Sequence, residues 1–269
     1  MKKLLAVLLS CVMIMTLTAC GSKEGKKDDT KDNKKTFTVG FDAEYPPYGY
    51  KDEKTGEYVG FDLELAEKVC EMEGWELVKT AINWDSKDME LNSGSIDCIW
   101  NGFTINGREN DYEWSNPYIN NTQVVVVSEK SGIKKLSDLK DKTVGVQAAS
   151  AAEGLFKDEG SQVKLAKTFK KLSPFSDYNT AFTELQSGSI DALAIDIGVA
   201  NYQIESRGDG YVILEEKLNS EQYGIGFKKG NTELKDTVDK DLKKLYDDGT
   251  VAEIAEKYGI DKDMICIGE

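Results

Sequence analysis

Leu91-Asn92-Ser93-Gly94-Ser95-Ile96-Asp97 returns later in the chain as Leu185-Gln186-Ser187-Gly188-Ser189-Ile190-Asp191, with six of the seven residues identical. Each copy follows a stretch with the character of a helix and runs into a short apolar segment, Cys98-Ile99-Trp100 in the first case and Ala192-Leu193-Ala194-Ile195 in the second. Serine and glycine at a helix end, followed by a buried strand, punctuate an αβ unit. A second echo lies elsewhere in each half, where Thr38-Val39-Gly40-Phe41-Asp42 parallels Thr143-Val144-Gly145-Val146-Gln147. Both read as short strands that end in a polar residue. Two echoes in the same order predict two α/β lobes, each opened by one of these strands and each holding one helix-to-strand unit.

The links between the lobes are also legible. Asn120-Asn121-Thr122-Gln123-Val124-Val125-Val126-Val127 reads as an extended crossover, and the chain is expected to return near Gln222-Tyr223-Gly224-Ile225-Gly226-Phe227. Two final helices, about 231–249 and 250–258, are expected to pack on the first lobe. This divides the chain into a first lobe at 36–122, a second at 123–221, and a return to the first at 222–269. Two crossing strands make a hinge, absorbing closure near Asn120 to Val124 and Tyr223 to Gly226. Ligands of open α/β sheets sit beyond the carboxyl ends of the strands, so facing lobes predict a cleft lined by the residues just past each strand.

The N-terminus speaks to compartment. Lys2 and Lys3 precede an apolar run from Leu4 to Leu17, interrupted only by Ser10 and Thr16, the pattern of a secretory signal at 1–19 and too short to span a membrane as a helix. Leu17-Thr18-Ala19-Cys20-Gly21 stands where a cleavage site belongs, and residues 20–35 are mostly lysine, aspartate, glycine and asparagine, the composition of a disordered tether. About 235 residues remain to fold.

Acidic residues outnumber basic ones by 48 to 34, and no basic cluster follows the tether, which argues against nucleic acid or an anionic membrane as ligand. Histidine is absent, so Ser-His and Cys-His nucleophile pairs are excluded. Cys70, Cys98 and Cys266 are an odd number of thiols without CxxC spacing and signal neither a disulfide framework nor a zinc site. No P-loop, metal site or cofactor motif is read.

The strand ends carry the chemistry. Asp42, Glu44, Tyr45 and Tyr48 follow the first strand; Asn101, Gly102, Phe103, Thr104 and Arg108 follow the first repeat. Gln147, Ala148, Ala149, Ser150 and Ala151 follow the third strand and open a helix, and Asp196 follows the second repeat. Together they suit a zwitterion: Arg108 offers a fixed fork for a carboxylate, Thr104 and Ser150 offer hydroxyls and backbone donors, and Asp196 offers an anion for an ammonium. Taken singly, each has a duller role. An arginine after a strand is commonly a solvated charge, an aspartate there commonly caps the next helix, and Tyr45, Tyr48 and Trp84 serve a core as readily as a cleft. Pro46-Pro47 can simply stiffen a loop.

These segments also carry a resemblance. Gly40-Phe41-Asp42, Tyr45-Pro46-Pro47-Tyr48, Tyr58-Val59-Gly60-Phe61-Asp62-Leu63-Glu64-Leu65-Ala66, Asn101-Gly102-Phe103-Thr104-Ile105 with Arg108, and Gln222-Tyr223-Gly224-Ile225-Gly226-Phe227 resemble the polar amino acid binding proteins of ABC importers, solute-binding protein family 3, over about Thr36 to Tyr258. The histidine- and glutamine-binding members are the most similar. The resemblance implies a periplasmic-binding-protein-like type II fold, an amino acid ligand, an ABC transporter permease as partner, a monomeric receptor and no catalysis.

By the same resemblance Arg108 clamps the ligand α-carboxylate, helped by Thr104 and the helix start at Ser150 and Ala151, while Asp196 and the carbonyl of Gly102 take the α-ammonium. Asp42 stands near the ligand side chain, Tyr45 and Trp84 sandwich it, Gln147 occupies a specificity position, and Asn101 belongs to the same strand-end motif. Residues 17–21 look like a bacterial lipobox, which implies lipidation of Cys20 and a membrane anchor. Two departures stand out. The loop Ile105-Asn106-Gly107 is one residue shorter than the family's usual pattern, and Ala149 and Ala151 leave the carboxylate dependent on backbone N–H groups. Asp42 and Glu44 favour a cationic side chain, while Gln147, Tyr45 and Trp84 suit glutamine or cystine equally well. A cyclohexadienyl dehydratase-like enzyme, with Glu44 or Asp196 as proton donor, and an extracellular amino acid sensor are the alternative functions on this scaffold.

Overall fold

The structure, a computed structural model, describes residues 34–268; the expected signal at 1–19, Cys20 and most of the tether lie outside the described residues. The first half runs β1 (Thr36–Phe41), β2 (Glu44–Tyr45), β3 (Gly49–Lys51), β4 (Tyr58–Val59), α1 (Phe61–Glu73), β5 (Glu76–Ala81), α2 (Lys87–Ser93), β6 (Cys98–Thr104) and β7 (Glu113–Trp114). A long strand, β8 (Ile119–Ser128), leads to β9 (Thr143–Gln147), α3 (Ala151–Phe156), α4 (Val163–Ala166), β10 (Lys171–Phe175), α5 (Tyr178–Ser187), β11 (Ala192–Asp196), α6 (Ile197–Arg207) and β12 (Tyr211–Ile213). A second long strand, β13 (Asn219–Phe227), precedes α7 (Thr232–Asp247) and α8 (Thr250–Lys257).

The main sheet reads β10-β9-β11-β8-β13-β6-β1-β5, an order that is palindromic in type. At each end stands a parallel triplet, β5-β1-β6 or β10-β9-β11, and between them lie the antiparallel long strands. Parallel strands are covered on both faces, so they read as nearly unbroken apolar runs. Every residue of β6 and of β11 is buried. The molecule is thus two α/β lobes sharing one curled sheet.

Both copies of the repeated heptad do the same structural work. Gly94 and Gly188 end α2 and α5 in the left-handed conformation, at φ 82° and 79°, where a side chain is strained. The Asp97 carboxylate then accepts from Thr38 N–H at 2.7 Å and its own N–H donates to the Thr38 carbonyl at 2.8 Å. Asp191 repeats both bonds with Thr143, at 2.7 and 2.9 Å. The serines close on each other, Ser93 to Ser95 at 2.9 Å and Ser187 to Ser189 at 2.8 Å. Ile96 and Ile190 press so closely on Gly40 and Gly145 that an added Cβ would stand 2.3 and 2.5 Å from their Cδ1 atoms. The two echoes are therefore one clamp, strand glycine against heptad isoleucine, built twice.

The C-terminal helices pack on α1, with Leu234, Val238, Leu242 and Leu245 of α7 buried at helical spacing. Residues 219–223 of β13 pair with 119–123 of β8, and from Tyr223 onward β13 runs along β6, with a register shift between Gly224 and Gly226. Bare glycines let the strand lie against Ile105 and Phe103. No helix among the described residues is long and apolar enough to cross a membrane.

Candidate ligand-binding cleft

Strand geometry explains why the candidate groups converge. Alternate residues of a strand share a face, and directly opposed residues of neighbouring strands share it too. Asp196 of β11 is opposite Gln123 of β8, Asn121 of β8 is opposite Glu221 of β13, and Tyr223 of β13 is opposite Thr104 of β6. A buried polar stripe thus crosses the sheet at the junction of the lobes.

Between the lobes lies a cavity of only about 10 Å³, room for about one water. Arg108, Thr104 and Gly102 border it from the first lobe, with Tyr45 and Trp84; Gln147, Ser150, Ala151 and Asp196 border it from the second. Phe103 joins them, its ring 5.4 Å from Trp84 in an edge contact and 5.2 Å from the Arg108 guanidinium. Asp42 borders the adjoining groove of about 640 Å³, in which Glu44, Asp85, Glu90 and Asp177 also stand. Asn101 does not border the cavity: it is buried, and its Oδ1 accepts from Asp42 N–H at 2.9 Å.

The short loop after Thr104 still delivers Arg108. Its Nη1 donates to the Thr104 carbonyl and its Nη2 to the Ala149 carbonyl, each at 3.1 Å, and it pairs with no carboxylate among the described residues. Lys87, absent from the sequence expectation, converges on the same place. Only 4% exposed, its Nζ lies 5.2 Å from the Trp84 ring centroid and donates to the Trp84 and Ala149 carbonyls at 3.3 and 3.5 Å. Burial, then the Arg108 charge, push the Lys87 ammonium down to about 8.

On the opposite lobe Ser150 caps α3, its Oγ accepting from Glu153 N–H at 3.1 Å. The Ala149 N–H is already taken by the Glu153 carboxylate at 2.8 Å, with Ala149 at φ 56°, so this amide is not free for a ligand carboxylate. Gln147 reaches across the gap, its Nε2 donating to Asp42 Oδ2 at 2.5 Å and to the Ser176 carbonyl at 3.1 Å. Burial pushes the Asp42 carboxyl up to about 6 against those bonds.

Asp196 precedes α6 but does not cap it with its side chain. Its Oδ1 accepts from Gln123 Nε2 at 2.6 Å, Tyr223 hydroxyl at 2.7 Å and Asn121 Nδ2 at 2.8 Å, while Oδ2 takes the longer bond from the Tyr178 hydroxyl at 3.5 Å. Three donors fix one oxygen and leave the other with capacity to spare. The Tyr45 ring lies 5.8 Å from Tyr48 and 5.9 Å from Tyr178, lining the site with aromatic faces.

A family model for bacterial extracellular solute-binding proteins, family 3, matches residues 37–261. The chain belongs to that family. Among its relatives, this family 3 protein is 31% identical to the arginine-binding extracellular protein ArtP of Bacillus subtilis (strain 168), over 96% of this chain and 98% of that one. It superposes on a substrate-binding protein of an ABC uptake transporter from Streptococcus pneumoniae, solved with bound histidine, at a TM-score of 0.78 and 34% identity, covering 83% and 92% of the two chains. An ancestral amino acid-binding protein described as a precursor of cyclohexadienyl dehydratase matches at a TM-score of 0.74 and 30% identity, covering 83% and 95%. The type II periplasmic-binding fold expected from the motifs is therefore the fold of this chain. The groups that sequence reasoning passes over are Lys87, Asn121, Gln123 and Glu221. The alternating Asn121-Thr122-Gln123 and Glu221-Gln222-Tyr223 of the long strands are the available signal, since every second residue is polar and buried.

Proposed function

We propose that this family 3 protein is the substrate-binding lipoprotein of an ABC importer, held on the outer face of the cytoplasmic membrane through Cys20. It captures a polar or charged amino acid by hinge closure and delivers it to the permease, as a receptor and not as an enzyme. The observation that carries the reading is that Arg108, free of any carboxylate partner among the described residues, and Asp196, with one under-used oxygen, border the same gap from different lobes.

A cavity of about 10 Å³ admits no amino acid, so the lobes must part for entry. Lobe 1 is 36–122 with 222–269 and lobe 2 is 123–221, and the crossings of β8 and β13 between them absorb the rotation. The α-carboxylate takes the Arg108 bonds now made to Thr104 and Ala149, with Thr104, Ser150 and Ala151 beside it; the α-ammonium takes Asp196 Oδ2 and the Gly102 carbonyl. The side chain lies between Tyr45 and Trp84, pointing toward Asp42 and Gln147. Reversing a strongly open-biased equilibrium needs about 5 kcal/mol of preferential binding to the closed form, which two charge-assisted anchors supply in large part.

Calorimetry of the purified protein against L-arginine, L-lysine, L-histidine, L-glutamine and L-cystine tests the reading. One tight ligand is expected; no heat with any polar amino acid ends it. Mass spectrometry of the N-terminal peptide tests the anchor, which an unmodified Cys20 would remove.

A further inference from the structure

Asp196 is not a lone acid. Glu221, 5% exposed and opposite Asn121 in the β8–β13 pairing, lies two hydrogen-bond lengths away. Asn121 Nδ2 donates to Asp196 Oδ1 at 2.8 Å and to Glu221 Oε1 at 2.9 Å; Gln123 Nε2 does the same at 2.6 and 2.8 Å. The Thr104 hydroxyl completes Glu221 Oε1 at 2.8 Å. Each amide thus gives both its hydrogens to the acid pair, and the amide oxygens of Asn121 and Gln123 are buried without a donor among the described residues.

The groups facing the pair are hydroxyls. Tyr45 approaches from β2, Tyr48 from the loop after it, Tyr178 from α5 and Tyr223 from β13, and no lysine or arginine pairs with either acid among the described residues. Two neighbouring buried carboxylates without a cation cannot both stay ionised cheaply, and a proton on Asp196, whose Oδ2 is the less engaged oxygen, removes the conflict. Burial first, then the Glu221 charge, push the Asp196 carboxyl up to about 6. A ligand ammonium brings what the pair lacks, a positive charge and three donors.

We propose that Glu221 is a positioning residue of the ammonium site: through Asn121, Gln123 and Thr104 it sets Asp196 and faces it with a like charge, so that Asp196 holds a proton that the ligand ammonium displaces and capture of an amino acid releases a proton to water. The inference rests on the receptor reading above. The exchange balances without a co-reactant: protonated Asp196 plus zwitterion gives the ion-paired complex plus a hydrated proton. Below the pH at which Asp196 loses its proton the ammonium must compete for the site, so affinity weakens by about tenfold per pH unit; above it this linkage vanishes.

The test is calorimetry of the full chain with L-arginine and with L-glutamine, neither of which titrates between pH 5 and 8, in buffers of different ionisation enthalpy. Release of most of one proton per ligand at pH 5.5 and almost none at pH 7 is expected. Glu221→Gln removes the like charge, so release at pH 5.5 falls to less than half and binding at pH 7 weakens, while Glu221→Asp restores release. Binding without proton release in the wild type at pH 5.5, or unchanged release in Glu221→Gln, overturns the proposal. If the variant does not fold, the wild-type arms decide alone. Failure of every polar amino acid to bind at pH 7 instead overturns the receptor reading.

Discussion

The two lobes share their clamp and differ at its outlet. In both, a heptad aspartate ties back to the echo strand, a left-handed glycine ends the preceding helix and an isoleucine fills the hollow over a strand glycine. Beyond the clamp the likeness stops. The first-lobe strand continues for seven residues through Gly102 to Thr104 and turns into the loop that delivers Arg108. Its counterpart stops after five, at Asp196. A duplicated framework carries a cation on one side and an anion on the other, and a zwitterion needs that asymmetry.

The sharpest way to break the comparison is to strike the outlets. Arg108→Ala and Asp196→Asn are each expected to weaken binding of the tight amino acid by about a hundredfold, the worth of a charge-assisted, largely desolvated contact, with the melting temperature little changed. Isothermal calorimetry and thermal melts on the same samples check this, and a loss confined to one variant would make the cleft one-anchored.

A smaller effect is expected at Lys87. Lys87→Met keeps the aliphatic stem against Trp84 but removes the charge, and should weaken binding by about three- to tenfold. Because its ammonium is pushed down to about 8, the wild type should lose affinity as pH rises from 7 to 8.5, and the variant should not. A flat wild-type profile would leave Lys87 as packing.

The clamps sharpen the comparison from the other side. Asp97→Ala and Asp191→Ala each strip a charge-assisted bond from a backbone N–H and should cost about 1.5–3 kcal/mol by denaturant unfolding, equally in the two lobes, while ligand affinity at saturating stability is unchanged. A marked inequality would show that the echo in sequence is not an echo in energetics.

Much of this is legible in the sequence because it is local. The heptads set their own caps, and the strand-end residues come within a few positions of them, so Arg108, Thr104 and Asp196 can be read as a set. The polar stripe cannot, because it is a product of strand pairing over long separations. Gln123 meets Asp196 and Glu221 across 73 and 98 residues, and Asn121 meets Glu221 across 100. Nothing near Glu221 in sequence says which strand will lie beside it. The partner of the return strand is hidden for a related reason: Gln222 to Phe227 reads as the return, but only strand pairing shows that β13 settles against β6 there.

The junction strands that flex in the proposed closure are also the strands that carry the acids' donors. Asn121 and Gln123 ride on β8, and Glu221 and Tyr223 ride on β13. Any torsion there shears the amide bridge between Asp196 and Glu221, and any change in what occupies Asp196 alters the stiffness of the joint. On the proposed mechanism recognition and bending fall to the same few peptide units, and a mutation intended to loosen the joint is expected also to detune recognition.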